Sequence, residues 1–167
     1  MTVVVGAEAE QVAALIPDLP GTGTAYAAQW STGMAASLTA GLARLQLHNC
    51  YGVDGSNCGE VNGGVTAAVV LLVDLPDVGP DVVARVLAAG GAGPAALTRA
   101  TYGGRPGHPV VIGRDHWDAV IAEGDGDTGA KAYLGRAGAL LVECGDLATG
   151  RDVDRPEGQG RTSSRRQ

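Results

Sequence analysis

Val65–Pro76, Val-Thr-Ala-Ala-Val-Val-Leu-Leu-Val-Asp-Leu-Pro, is the stretch that decides the fold. Eight of the nine residues before Asp74 are apolar, and four of those nine are Val. A run of that kind reads as a strand buried on both faces of a parallel sheet rather than a half-exposed, alternating one. Pro76 ends it and biases Leu75 away from helical angles. Asp74 is then the first charge at the carboxyl end of a buried strand, which is where open α/β sheets place their ligands. A carboxylate there needs a cation, a metal or hydrogen bonds to satisfy it. Two readings stand side by side: a helix-capping or turn Asp, and a ligand-binding one.

Outward from this strand, the chain alternates strands and helices. Thr2–Ala7 reads as a strand, and Glu8–Ile16 as a helix with Val12, Leu15 and Ile16 at helical spacing before Pro17. Ala25–Gln29 is a short second strand, and Met34–Leu47 is an amphipathic helix. Pro80 and Asp81 open a helix with Val82, Val83, Val86 and Leu87 inward. Ala95–Tyr102 and Pro109–Gly113 read as strands around a Gly103–Gly107 turn. Helices over Arg114–Ala122 and Thr128–Arg136 and a late strand at Ala139–Cys144 complete the pattern. This alternation predicts an α/β fold with a mostly parallel sheet flanked by helices. The tail from Glu157 lacks apolar residues and is expected to be disordered.

With 167 residues the chain is one domain's worth. It contains no Phe, so Val, Leu, Ala and Ile must build the core. A net charge of −6 argues against a broad nucleic-acid-binding surface, which needs a basic patch. No apolar run reaches the roughly 18–20 residues of a bilayer span, and no basic segment leads into an apolar block as in a signal peptide. The three cysteines, Cys50, Cys58 and Cys144, form no Cys-x-x-Cys pair, which fits free thiols in a cytoplasmic protein. Within the Gly- and Asn-rich stretch His48–Gly64, His48, Cys50 and Cys58 lack paired ligand spacing, and a plain insertion is the expected reading.

Several familiar sites are excluded. Gly124–Lys131 approaches a P-loop, but Ala130 separates Gly129 from Lys131, no Ser or Thr follows the Lys, and a helix precedes it. A glycine-rich turn capping the next helix is the alternative. No Gly-x-Gly-x-x-Gly follows a strand, and there is no Gly-x-Ser-x-Gly elbow. His108, in the turn-rich Tyr102–Pro109, reads alone as a structural loop histidine. Asp152 and Asp154 lie two apart on an extended segment and so share a face.

In order, Gly33-Met-Ala-Ala-Ser-Leu38, Leu72-Val-Asp-Leu-Pro76, Gly103-Gly-Arg-Pro-Gly-His-Pro109, Gly126-Asp-Thr-Gly-Ala-Lys131 and Asp152-Val-Asp-Arg-Pro-Glu157 resemble the molybdenum cofactor cytidylyltransferases. That resemblance runs from about Val3 to Glu157. It implies a Rossmann-like sheet of the nucleotide-diphospho-sugar transferase type, with residues 1–156 as the nucleoside triphosphate transferase domain and 157–167 as a tail. It implies Mg²⁺ held by Asp74 and Asp154, with Lys131 joining them in catalysis. Gly33, Met34, Ser37 and Asp74 would border the nucleotide; Gly107, His108, Pro109 and Asp127 would border the acceptor. The implied reaction transfers CMP from CTP to the phosphate of a molybdopterin-type substrate and releases pyrophosphate. A molybdoenzyme or its chaperone is the implied protein partner.

Departures accompany the resemblance. The family's first β-loop-α unit, with its Gly-rich phosphate-binding loop, is missing before Val3. Its absence is expected to leave two apolar strand edges unpaired or to force them together. The expected explanation is a start upstream of Met1; the alternative is a degraded relative acting as a binding module. Arg155 stands where the family usually has Thr, and Gly158 where it has Asp. A sugar-1-phosphate or phospholactate acceptor is the alternative within the same fold.

Overall fold

The computed structural model describes residues 1–48 and 64–153. The stretch holding Cys50 and Cys58, Asp154, Arg155, Gly158 and the tail lie outside the described residues. The chain begins with β1 (Thr2–Val5), α1 (Ala9–Leu15) and β2 (Gly23–Tyr26), and β1 pairs with β2 in parallel, Val3 opposite Thr24. A short 3-10 turn, Trp30–Thr32, leads into α2 (Met34–His48). Next come β3 (Ala67–Val70), α3 (Pro80–Gly90), β4 (Leu97–Tyr102), β5 (Arg105–Gly113), α4 (Trp117–Glu123), α5 (Lys131–Arg136) and β6 (Leu140–Glu143).

The last four strands form one sheet in the order β3-β5-β4-β6. In it β5 runs antiparallel to both neighbours, while β4 and β6 are parallel. The direction β3, β4 and β6 share is the expected parallel one; β5 is the exception, because the tight Gly103–Gly104 turn reverses the chain. Both glycines have positive φ, +58° and +76°, which side chains other than glycine's rarely adopt.

Helices cover both faces of this sheet. On one, Val82 and Val86, one turn apart on α3, pack with Ala100, Tyr102, Val111 and Cys144. Gly90 lies so close to Thr98 of β4 that a Cβ would overlap the hydroxyl. On the other, Leu42 of α2, Trp117 and Val120 of α4 and Leu134 of α5 pack with Ala68, Val110 and Ile112. Trp117 is fully buried, and its indole N–H donates to the Ile112 carbonyl at 2.9 Å.

α2 also reaches the two-stranded sheet, where Gly41 lies against Val4. It therefore packs against both sheets. Among the described residues, β1 pairs only with β2 and β3 only with β5, so each has an open edge, as expected from the sequence. The open edge corrects one reading. The Val65–Asp74 run is not doubly buried: the strand is confined to Ala67–Val70, and Val69, Leu71 and Val73 are exposed at 38%, 47% and 99%. Of these only Val69 lies in the strand, which has a neighbour on one side; Leu71 and Val73 follow its end, where the sheet gives no cover.

Candidate functional site

After β3 the chain turns through Asp74 at the carboxyl end of the sheet. One carboxylate oxygen of Asp74, Oδ1, is buried and has no hydrogen-bond partner among the described residues. Its main-chain carbonyl accepts from the Val153 amide at 2.9 Å. Nearby, Asp77 accepts from both the amide and the hydroxyl of Thr149, each at 2.6 Å. The Thr149 hydroxyl, followed by its amide, holds the Asp77 carboxyl below its ordinary pKa. The segment 149–153 is thus fastened alongside 74–77. Asp154, the expected second metal ligand, lies outside the described residues.

The β4–β5 hairpin supplies the next group. His108 and Pro109 are joined by a cis peptide bond, and Pro109 is fully buried. The Tyr102 hydroxyl donates to the His108 carbonyl at 2.6 Å, and Arg99 Nε donates to the Gly107 carbonyl at 3.0 Å. Burial pushes the Tyr102 pKa up to about 12. Burial first, then the charge of Arg99, lowers the His108 pKa to about 4, with Asp74 opposing the shift. The ring is therefore uncharged at neutral pH. Both charges thus lie within electrostatic reach of the His108 ring, and the Arg99 bond to Gly107 places the guanidinium beside it.

At the hairpin tip, Glu143 accepts from the amides of Gly103, Gly104 and Gly145 and from the Thr101 hydroxyl, at 2.8 to 3.0 Å. The Gly104 and Gly103 amides are the main cause of its pKa falling to about 2. A cavity of about 630 Å³ lies between this tip and residues 145–152, with Arg105, Thr149, Arg151 and Asp152 in its wall.

A second group forms where α2 begins. Gly33, at φ +123°, packs directly on Gly126 and Asp127; a Cβ would sit 2.6 Å from the Gly126 oxygen and 2.8 Å from the Asp127 nitrogen. Met34 lies against Gly129. A cavity of about 490 Å³ opens beside this contact, lined by Gln29, Thr32, Ala35, Thr39 and Asp125. Ser37 is half-buried on α2, and Lys131 is exposed at the start of α5 with no ion pair among the described residues.

The expected site residues thus fall into two clusters: Asp74 with Gly107, His108 and Pro109, and Gly33 and Met34 with Asp127 and the turn before Lys131. Among the described residues no hydrogen bond or ion pair joins the two. The residues that sequence reasoning missed are Arg99, Asp77, Glu143 and Thr149. Their only local signal is a lone charge or hydroxyl near a strand end; their partners are distant in sequence.

The family described as "MobA-like NTP transferase domain" matches residues 1–140. The chain belongs to the MobA-like NTP transferase family. The match takes in Asp74, His108 and Lys131 and stops before the 145–153 segment. Among curated relatives, nicotine blue oxidoreductase of Paenarthrobacter nicotinovorans is 31% identical over 137 residues, covering 77% of this chain and 58% of that protein. The chain therefore spans under two thirds of that relative. A solved homologue of Mycobacterium tuberculosis rv0371c, from Mycobacterium sp. strain JC1, superposes with a TM-score of 0.65 at 24% identity, over 92% of this chain and 68% of that one. Rv0371c of M. tuberculosis H37Rv gives 0.60 at 25% identity, over 92% and 69%. Its complex with manganese gives 0.56 at 23%, over 86% and 66%. The MobA-like domain here thus has a nucleotidyltransferase-type α/β fold, and no helix among its described residues is long and apolar enough to cross a membrane.

Proposed function

We propose that this MobA-like domain, residues 1–156, binds a nucleoside triphosphate, with CTP the favoured one, and transfers its nucleoside monophosphate to a phosphorylated acceptor of the molybdopterin type, releasing pyrophosphate. One observation carries the reading: a buried carboxylate oxygen on Asp74, past the carboxyl end of β3, with no partner among the described residues. A carboxylate oxygen left without a donor in that position calls for a cation. Among the described residues no three His, Cys, Asp or Glu side chains gather to hold a metal. Mg²⁺ is well suited to such a site, since it takes one or two carboxylates plus substrate phosphates rather than a full protein cage. Asp74 would hold it, with Asp154 as the second carboxylate. The manganese complex of Rv0371c supports divalent metal use at this fold.

When bound, the ion would neutralise charge on the phosphate oxygens. The chain's own residues do the rest. Asp74 would hold the cation against which the triphosphate is placed, and the uncharged His108 ring can accept or donate a hydrogen bond to the acceptor without repelling a cation. Lys131, exposed and unpaired among the described residues, is a mobile positive charge for phosphate. Gly33, Met34 and Ser37, beside the second cavity, would border the nucleotide, and Gly107 and Pro109 the acceptor; Asp127, assigned to the acceptor by the resemblance, packs instead on Gly33. Positioning and charge, rather than covalent help, are what phosphoryl-type transfer asks of a protein. Such an enzyme would work in the cytoplasm and hand its product to a molybdoenzyme or its chaperone.

The oxidoreductase name of one relative raises a redox reading, but the sequence has no glycine-rich dinucleotide fingerprint after a strand, which favours transfer. Titration of CTP into the chain, with and without Mg²⁺, tests the proposal. Wild type should bind CTP with Mg²⁺, and Asp74→Asn should weaken that binding at least about tenfold, the cost of losing a charged ligand contact. Equal Mg²⁺-dependent affinity in the variant would take Asp74 out of the site.

A further inference from the structure

One charged group beside His108 has no role in the reading above. Arg99 lies on β4 two residues beyond Leu97, which packs in the Leu42–Trp117 cluster, and just before the irregular pairing between residues 99 and 101. It is half-buried. Its Nε is used by the Gly107 carbonyl, while its two terminal NH₂ groups make no hydrogen bond or ion pair among the described residues. The other arginines in ion pairs, Arg85 with Asp146 and Arg136 with Glu123, are at the surface. The guanidinium stays charged, and its unpaired terminal nitrogens are not sealed from solvent, so an anion can reach them. The neighbouring His108 ring is neutral or cationic in either protonation state and supplies no anion.

We infer that Arg99, with its Nε anchored on Gly107 and its terminal NH₂ groups open, is the anion subsite for the acceptor's phosphate, a phosphomonoester dianion, beside His108. This rests on the transferase reading for the word acceptor; the anion site itself does not. Arginine suits the task because its planar fork can donate two parallel hydrogen bonds to two phosphate oxygens while Nε fixes its orientation. A lysine could supply the charge but not the paired geometry.

The probe is methyl phosphate, read as the rise in thermal midpoint of the full chain over a sodium chloride blank of equal ionic strength. Each rise is measured against the same variant without ligand, so a change in basal stability does not enter. Wild type should show a saturable rise, Arg99→Gln should lose it, and Arg99→Lys should keep it with affinity about tenfold weaker. A wild-type chain that does not respond, or an Arg99→Gln chain that responds as wild type does, overturns the inference. Should Arg99→Gln not fold, unchanged affinity in Arg99→Lys overturns it instead. Failure of the transferase reading would show separately, as a wild-type chain that responds to methyl phosphate but not to CTP with Mg²⁺.

Discussion

At the scale of single residues, His108 links burial to pH. An unfolded chain takes up a proton on histidine near pH 6.5, whereas the folded one refuses it until about pH 4. Above 6.5 both states are neutral, and the residue adds no pH dependence. Between 6.5 and 4 the unfolded state binds more protons, so stability falls as the pH falls, by at most about 3 kcal/mol. Urea unfolding at pH 7, 6, 5 and 4.5 should show this decline, and His108→Gln should flatten it. An identical slope in the variant would assign the decline to other groups. Glu143 acts lower: its depressed carboxyl contributes stability above its unfolded pKa of about 4.5, lost as the pH drops toward 2. The two windows separate the hairpin's histidine from the clasp at its tip.

At the scale of elements, the approach of Gly33 to Gly126 sets how α2 sits against the turn before α5. Two constraints coincide at Gly33: a φ that disfavours a side chain, and backbone of another segment where a Cβ would lie. Gly33→Ala is expected to destabilise the fold by about 3 kcal/mol. Gly21 makes a useful control, having φ +77° with nothing within 4 Å of its Cβ position. Gly21→Ala should cost only the conformational part, about 1 kcal/mol. Equal losses in the two variants, by urea titration, would mean that the Gly126 contact is not tight. This contact also marks where sequence reading stops. The helix at Met34–Leu47 follows from residues three and four apart, whereas the strand expected to run to Pro76 ends at Val70. Gly33 meeting Gly126, or Glu143 gathering three glycine amides, depends on pairing that no local spacing encodes. Arg99 was passed over for the same reason: within Ala95–Tyr102 it looks like one polar residue of a strand, and only the hairpin's return brings Gly107 and His108 beside it.

At the scale of the molecule, the α/β class and the order of elements were legible because each strand and helix carries its own period. The burial of Val65–Asp74 was not, because cover depends on a neighbour, and β3 has one on a single side only. Among the described residues all four outer strands, β1, β2, β3 and β6, have an open edge, and past the end of β3 the exposed Leu71 and Val73 continue an apolar strip from Val69. Unpaired N–H and C=O groups beside such a strip form a template for strand addition. The chain should therefore associate as its concentration rises, with an onset visible by light scattering. Val73 is 99% exposed, so Val73→Lys removes no packing and places a charge on the strip. Association should then begin at a concentration severalfold higher. Leu15 on α1, 82% exposed, is the comparison, because Leu15→Lys adds the same charge to a helix rather than to the β3 strip. If both variants raised the onset equally, net charge rather than the open β3 edge would control association; if only Val73→Lys did, the edge is the cause.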